Sequence, residues 1–569
     1  MSDTQFDIVS LQKSLLSLRP KARLDVLLNH PNTLALVRQL PAQDLFITLK
    51  EVGLSDSLEI LELVSPEQFQ SFLDLDAWHH GRLDPIAMGT WLEAMASANP
   101  KRAVQAFREL DVELISLLLK MYAQVFDVNA EEEPQEMGLA HSTTPDGRYI
   151  VVLNAEKSEE NIVYFLKEAL EQLYQRDFSF AQRLIENVRW ETISILEEEA
   201  LQWRDGRMQD MGFAPFSEER DILAYVDHAA KSHSHAPNIH ASDKPNTSVL
   251  LHEIKTNRFF YQALSNASTE LKQRVLNELV TTANRVHVAM GIDLGDTTAL
   301  FDTVTHTLNT IETAMAYLSK GDSVQLQYVL AQNTMLRLFQ IGHSLALKIG
   351  RDFRKVILDP NAGLSGSGLL RLDSPLAEVA AGILLSEPMY YAGLSDPKKI
   401  DYRRFENLND VGSTAAAIAE SIFRSYLIGP KGIGVTEEKI RAMDSDDKAK
   451  MPTHSVLLAT WLCHQLLGSE PSLLPLEQLQ IEQLWDKLHA SLEPSNFSKK
   501  DMDTCNLAVD KIAADLVPSP SMKTMEEAQL RTSKYVQLVM SAVSSELALI
   551  ANKPIDLRYI ASVRVKQNA

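Results

Sequence analysis

The fold class is clearest in the stretch from Ser158 to Leu173, which reads Ser-Glu-Glu-Asn-Ile-Val-Tyr-Phe-Leu-Lys-Glu-Ala-Leu-Glu-Gln-Leu. Its apolar residues fall on one face of a helix, and Ser158 is a suitable N-cap. Helix breakers are scarce, since the chain has 22 glycines and 23 prolines in 569 residues. Their combined share of the sequence is below the usual value of about 12%. We therefore predict a mainly α protein.

Short helices are predicted throughout the first 126 residues. Prolines precede apolar patterns here and suit the first turn of a helix, where the missing N–H would have no partner. These prolines are Pro20, Pro41, Pro66, Pro85 and Pro100. Apolar residues recur between them every three to four positions, which predicts about seven helices. The similarity of residues 20–24 to residues 100–104 favours a helical-repeat domain.

Two segments predict a small β element in this helical chain. Residues 148–153, Arg-Tyr-Ile-Val-Val-Leu, are largely β-branched or aromatic, as is typical of strands. Apolar and polar residues alternate between Leu557 and Val565, which is the period of a half-buried strand. We expect these two segments to pair with each other.

Shifts in composition divide the chain into seven predicted segments. Stretches without periodicity that are acidic or rich in Gly, His, Ser, Pro or Asn are interpreted as linkers. The predicted segments are a helical-repeat domain at 1–126, an acidic linker at 127–147, a strand plus helical unit at 148–228, a His/Ser/Pro/Asn linker at 229–247, a helical body at 248–428, a Gly-rich and acidic linker at 429–455, and C-terminal helices ending in a strand at 456–569.

Charge and composition exclude several functional classes. Acidic residues number 76 against 55 Lys and Arg, which gives a net charge of −21, so the surface field repels nucleic acid. No apolar run reaches the roughly 18 residues of a spanning helix, and the first residues lack the pattern of a signal peptide. Cys463 and Cys505 form no CxxC pair, which argues against a disulfide scaffold. We expect a cytoplasmic protein with no membrane insertion and no nucleic-acid partner.

The histidines between His228 and His252 are the nearest approach to a metal site. A zinc or nickel ion could be bound by three imidazoles drawn from His233, His235 and His240 together with His228 or His252. The segment has no HExxH frame, and its Ser, Asn and Pro content is typical of a solvated loop. We therefore predict no metal site, with metal binding by this segment as the open alternative.

Two glycine-rich loops, Gly363–Gly368 and Gly429–Gly434, could cradle phosphate with backbone N–H groups. Neither has the Lys-Ser/Thr of a P-loop or the frame of a nucleophile elbow, so both are interpreted as helix ends and loops. The acidic run Asp444–Asp447 begins like a calcium loop but continues with Lys448 and Ala449, where a ligand and a glycine are needed. No catalytic residue and no cofactor is predicted.

The stretch from Trp190 to Phe213 contains the candidate partner-binding residues Trp203, Arg204 and Arg207. Arginine beside tryptophan combines apolar area with a planar set of donors, which is typical of residues that anchor interfaces. The alternative is a structural junction in which Trp203 fills core and the arginines pair with nearby carboxylates. Burial distinguishes the two interpretations.

Residues 196–213, Leu-Glu-Glu-Glu-Ala-Leu-Gln-Trp-Arg-Asp-Gly-Arg-Met-Gln-Asp-Met-Gly-Phe, together with Phe72-Leu-Asp-Leu-Asp-Ala-Trp78, resemble an uncharacterised bacterial family of unknown function. The resemblance spans most of the chain. Residues 40–45 and 63–68 are also similar to the acidic superhelical intracellular domain of MgtE-type magnesium transporters. That second resemblance implies helical repeats and an acidic surface that responds to divalent cations, but this chain departs from the transporters in having no transmembrane part.

The expected function is that of a soluble cytoplasmic interaction or regulatory protein, because helical repeats offer extended surfaces for a protein partner. The alternatives are an enzyme with a site in the helical body that matches no known motif, or a divalent-cation-responsive regulator. An enzyme is the less favoured of these, since every catalytic motif tested in the sequence lacks a required residue.

Overall fold

In a computed structural model of the protein, the chain forms two compact units, Met1–His343 and Ser344–Ala569. The structure describes residues 15, 18–79, 81–156, 159–213, 219–227, 258–364, 366–436, 438–439, 441–442, 451–490, 496–516 and 524–566. Helices dominate both units, which confirms the mainly α prediction.

The helices that begin in the first unit are α1 (Pro20–Leu28), α2 (Thr33–Gln39), α3 (Ala42–Val52), α4 (Leu58–Leu61), α5 (Pro66–Asp76), α6 (Pro85–Ala98), α7 (Pro100–Glu109), α8 (Val112–Tyr122), α9 (Glu160–Arg176), α10 (Phe178–Trp190), α11 (Ile193–Asp210), α12 (Glu219–Ile222), α13 (Arg258–Ser265), α14 (Thr269–Ala289), α15 (Thr297–Ser319), α16 (Ser323–Gln332) and α17 (Met335–Ile357). Its strands are β1 (Trp78–His79), β2 (Arg82–Leu83), β3 (Ala123–Asp127), β4 (Ala140–Thr143) and β5 (Tyr149–Leu153).

The proline positions predicted to start helices do so. Pro20, Pro66, Pro85 and Pro100 are each the first residue of a helix, and Pro41 is the residue before α3. Side chains cap three of these helix starts, those of α5, α6 and α7. Ser65 and Gln68 form a reciprocal capping box at α5, which satisfies two backbone N–H groups that the helix itself cannot.

One apolar core runs through the first unit, with buried residues from Leu15 to Ile341. Phe46, Phe72 and Trp91 stack within it, with ring centroids 5.9 Å apart for Phe46 and Trp91 and 5.3 Å apart for Phe72 and Trp91. The helices of the predicted repeat domain therefore form, but they share their core with elements far later in the chain.

The predicted strand at 148–153 is confirmed as β5, but its partners are not the predicted ones. It lies at the centre of an antiparallel sheet in the order β3-β5-β4. Leu153 is opposite both Ala123 of β3 and Ala140 of β4. The strand β4 thus lies inside the segment interpreted as an acidic linker. A turn follows this strand, and in it the N–H of Gly147 donates to the carbonyl of Thr144 at 2.8 Å.

The second unit contains α18 (Leu376–Ile383), α19 (Leu408–Ile428), α20 (His454–Leu466), α21 (Gln478–His489), α22 (Lys499–Asp515) and α23 (Met525–Ala548), with the short strands β6 (Tyr390–Tyr391) and β7 (Tyr402–Arg403). Its core is a separate apolar cluster whose buried residues run from Ala346 to Val563. Strand β6 pairs antiparallel with β7.

The prediction of a strand from Leu557 to Val565 that pairs with residues 148–153 is wrong. Leu557–Tyr559 is a 3₁₀ helix, and Val565 makes a single parallel bridge with Leu476. The carboxylate of Asp556 accepts a hydrogen bond from the N–H of Arg558 at 3.0 Å. Such a side-chain turn competes with extended structure, and it breaks the period of two.

The seven-segment division stays a prediction, although the boundary between the two units falls inside the predicted helical body at 248–428. Within the described part of the chain, no helix has the length and apolar content needed to cross a bilayer.

Candidate functional site

Helix α11 carries the three residues proposed from sequence, and it packs against α5, α8 and strand β2. Its buried side chains are Leu196, Ala200 and Met208. Much of the remaining helix surface is exposed. The helix is therefore anchored on one side and faces solvent on the other.

Arg207 points inward and pairs with Asp74, whose side chain is fully buried. The guanidinium donates from Nε to Oδ2 at 2.6 Å and from Nη2 to Oδ1 at 2.9 Å. Its third nitrogen, Nη1, donates to Asp111. Burial raises the pKa of Asp74 above its ordinary value, while the hydrogen bonds and charge of Arg207 act in the opposite direction. The pair is an internal contact between α11, α5 and the residue before α8.

Arg204 also points inward, and it binds the same residue as Arg207 through a different group. Its Nε donates to the backbone carbonyl of Asp74 at 2.9 Å. The guanidinium lies 5.6 Å from the centre of the Trp78 ring, within the range of a cation–π contact. Asp74 is thus bound through its carbonyl by one arginine and through its carboxylate by the other.

Trp203, in contrast, faces solvent, with 59% of its surface exposed. Trp190, Ile193 and Ile195 are exposed as well, so further apolar side chains face solvent at the end of α10 and the start of α11. The structure therefore separates the three candidates into one outward indole and two inward guanidinium groups. A partner-binding role for Trp203, Arg204 and Arg207 stays a prediction, and Trp203 is the member that is exposed for direct contact.

The two stretches that carried the family resemblance in the sequence lie against each other. Residues 72–78 supply Asp74 and Trp78, and residues 196–213 supply Arg204 and Arg207. More than 100 positions separate them in the chain, so neither the pairing nor its geometry was visible in a linear pattern. The sequence did contain one hint of this contact, because residues 72–78 include the acidic Asp74 and residues 196–213 include the basic Arg204 and Arg207.

A cleft of about 670 Å³ lies along the side of α11 that carries Arg204. We call it the Trp78 cleft. It is bounded by the β1–β2 hairpin, by α11 and by residues 288–294, which are the last turn of α14 and the segment that follows it. Apolar side chains, among them Leu201, Met208, Phe213 and Ile292, form much of its surface.

A buried histidine positions the far wall of this cleft. His287 is fully buried, and its ring nitrogens lie 3.0 Å from Thr303 Oγ1 and 3.1 Å from the carbonyl of Asp293. The Asp293 carboxylate accepts a hydrogen bond from the N–H of Gly295 at 2.9 Å. A Cβ on Gly295 would lie 2.0 Å from Asp76 Oδ1, so the segment can approach α5 only because this residue is glycine.

Carboxylates outnumber guanidinium groups among the described residues that line the Trp78 cleft. The acidic residues are Glu197, Glu198, Asp205 and Asp293, and the basic ones are Arg82 and Arg204. His79 lies between two carboxylates, with its ring nitrogens 3.4 Å from Asp84 and 3.4 Å from Asp293. Burial raises the pKa of Asp205, with Arg204 acting against that shift.

A second, smaller cleft of about 380 Å³ lies on the other side of α11. We call it the Asp111 cleft, and its charged lining residues are Glu67, Glu109, Asp111, Asp210 and Arg207. Arg207 is already paired with Asp74 and Asp111. Helix α11 is therefore flanked on both sides by surface in which negative charge prevails.

Two other sequence candidates lie outside the residues that the structure describes. They are the histidine run from His228 to His252 and the acidic run Asp444–Asp447. No group of three or more His, Cys, Asp or Glu side chains in the described part of the chain is placed to hold a metal ion.

The two glycine-rich loops contact each other. A Cβ on Gly363 would lie 3.1 Å from the Cα of Gly429. The chain folds back after α19, with the N–H of Ile433 donating to the carbonyl of Leu427 at 2.8 Å. This confirms the interpretation of the second loop as a helix end, because its glycines allow two backbone segments to approach closely.

Comparison with known proteins assigns the chain to a family. The model of a family of unknown function, DUF6178, matches residues 2–566. The chain belongs to this family. No curated protein and no solved structure matches it, so the resemblance of residues 40–45 and 63–68 to MgtE-type transporters is not confirmed.

Proposed function

We propose that this DUF6178 protein is a cytoplasmic interaction protein that binds a protein partner through the exposed surface of α11. The observation that carries the proposal is Trp203, which is 59% exposed on a helix whose inner side is held by two inward-pointing arginines. Exposed tryptophan on a rigid element is characteristic of interface anchors. Trp190, Ile193 and Ile195 extend the apolar area around the start of the same helix.

The charge around α11 indicates the chemistry of the partner. Asp210 follows Trp203 by seven residues, about two helical turns, so it lies on the same side of the helix, and it lines the acidic Asp111 cleft. The only guanidinium group among the described residues that line this cleft is paired internally with Asp74. A partner that offers basic side chains around an apolar anchor complements such a surface. The net charge of −21 disfavours nucleic acid as that partner.

The test is affinity purification with the full-length chain carrying Trp203→Ala. We expect this variant to lose a wild-type partner while its melting temperature stays unchanged, because an exposed indole contributes little to folding. Tyr328→Ala is the matched control, since Tyr328 is also an exposed aromatic residue on a helix of the first unit, with 63% of its surface exposed.

Two further observations decide the result. The partner retained by wild type and by Tyr328→Ala must bind more weakly as salt is raised, because complementary charges are screened. If Trp203→Ala and wild type retain the same proteins in the same amounts, α11 is not the binding surface.

A further inference from the structure

We propose that the Trp78 cleft binds an organic cation, an ammonium or guanidinium group carried on an apolar stem. The proposal concerns the side of α11 that faces away from Trp203, so it goes beyond partner binding at that residue. Three observations support a cation site here. They are the volume of the cleft, the excess of carboxylates that line it, and the inward position of Arg204.

The size and lining of the cleft suit a small organic group. Its volume of about 670 Å³ lies within the range of about 300–1,000 Å³ that is typical of small-molecule sites. Leu201, Met208 and Ile292 offer apolar surface to a stem. A bare metal ion fits this lining poorly, because the carboxylates of the described residues are not gathered into a coordinating group.

The charge in the cleft favours a cation over an anion. The carboxylates of Glu197 and Glu198 have no hydrogen-bond or ion-pair partner among the described residues. Arg204 is held on the backbone of Asp74 and against the Trp78 ring, with only 11% of its side chain exposed. Its charge is therefore directed into the protein and faces Asp205 at 3.5 Å. Arg82 remains as the exposed guanidinium at the rim.

Helical geometry aligns the acidic side chains with the apolar ones. Ser194, Glu198, Leu201 and Asp205 are spaced by four, three and four residues on α11, so they form one line along the cleft wall. An aliphatic stem that lies over Leu201 can place a cationic end near Glu198 or Asp205. Burial already raises the pKa of Asp205, and a bound cation would stabilise its charged form.

Such a group has two possible sources, a free amine or the side chain of an arginine or lysine in a peptide. The test is isothermal titration calorimetry on the full-length chain. The probes are agmatine as the free cation, pentanoate as an anion with a similar stem, and the peptides Ala-Arg-Ala and Ala-Gln-Ala. We expect agmatine to bind and pentanoate not to bind. Tighter binding of Ala-Arg-Ala than of agmatine would assign the cleft to a peptide side chain, and the reverse order would assign it to a free amine.

The decisive variant combines Glu198→Gln with Asp205→Asn. Because two partly exposed charges that face the cation are removed, the double variant should bind the cationic probe about tenfold more weakly. Glu199→Gln is the matched control, because Glu199 is the next residue of the same acidic run but does not line the cleft. It should bind like wild type.

Three results would overturn the proposal. The first is that neither agmatine nor Ala-Arg-Ala binds at millimolar concentration, the second is that pentanoate binds as tightly as agmatine, and the third is that the double variant and Glu199→Gln bind the cation equally. A loss of partners in Trp203→Ala leaves all three measurements unaffected, so failure of one proposal is distinguishable from failure of the other.

Discussion

Replacing Arg207 by alanine tests whether the segment 196–213 is fixed by the buried ion pair. The substitution removes two hydrogen bonds, of 2.6 Å and 2.9 Å, from the carboxylate of Asp74, which is fully buried. A charge that loses its partner inside a protein destabilises the fold by about 3–5 kcal/mol. Arg207 itself is 26% exposed, and Gln70 still donates to Asp74 at 3.3 Å. We therefore expect a loss of about 3 kcal/mol.

The assay is equilibrium unfolding of the full-length chain in urea, followed by circular dichroism. Lys355→Ala is the control, since Lys355 pairs with Asp352 at 2.9 Å on the surface of α17. Exposed pairs of this kind contribute little, so this variant should unfold like wild type. A second variant, Asp74→Leu with Arg207→Met, removes both charges and should regain most of the stability that Arg207→Ala loses.

Two outcomes contradict this reasoning. If Arg207→Ala unfolds at the same urea concentration as Lys355→Ala, the pair does not stabilise the fold. If the double variant is as unstable as Arg207→Ala, the unpaired charge of Asp74 is not the cause of the loss.

Three further results are expected. Gly206→Ala and Gly412→Ala should each raise the free energy of unfolding by about 0.5–1 kcal/mol, because both glycines are helical and an added Cβ meets nothing within 4 Å; unchanged urea midpoints would contradict this. Gly295→Ala should instead lower the melting temperature, since its Cβ would lie 2.0 Å from Asp76 Oδ1, and an unaltered melting curve would show that the segment relaxes freely. Stability should also fall as the pH drops from about 6.5 towards about 4, since burial lowers the pKa of His454 from 6.5 to about 4, with Asp373 opposing and Arg424 and Arg371 adding to the shift. The unfolded chain then binds a proton that the folded chain excludes, at about 1.4 kcal/mol per pH unit, and His454→Leu should show a correspondingly smaller slope between these pH values.

Local patterns in the sequence predicted the helices well because their causes are local. A proline in the first turn, as at Pro66 and Pro100, needs no distant partner to favour a helix start. The strand at 148–153 was also predicted from its own residues. Its partners β3 and β4 were missed, because pairing depends on a register that the strand does not itself contain.

The segment from Leu557 to Val565 shows how alternation can mislead. Ile555, Leu557, Ile560 and Val563 are the buried apolar residues here, and their spacing of two, three and three fits a chain with a tight turn rather than a flat strand. The apolar character was predicted correctly. The conformation was not, because the Asp556 side chain stabilises a turn in the middle of the segment.

The candidate site was predicted only in part for a related reason. The segment with Trp203, Arg204 and Arg207 was selected because of its residue types, and all three lie at or beside the two clefts. The walls of the Trp78 cleft come from β1–β2, from α11 and from the end of α14 with the segment that follows it, and these elements are far apart in sequence. Residues such as His79 and Asp293 carry no motif, and they acquire a role only when the fold brings them within 3.4 Å.

The double attachment of Asp74 has a consequence for the evolution of this family. Arg204 binds its carbonyl and Arg207 binds its carboxylate, so the two contacts respond differently to substitution. A relative that replaces Asp74 keeps the backbone carbonyl that Arg204 binds. It loses the buried carboxylate that Arg207 binds. Positions 74 and 207 should therefore change together among relatives, as an acidic and basic pair or as two apolar residues, whereas position 204 is free of that linkage.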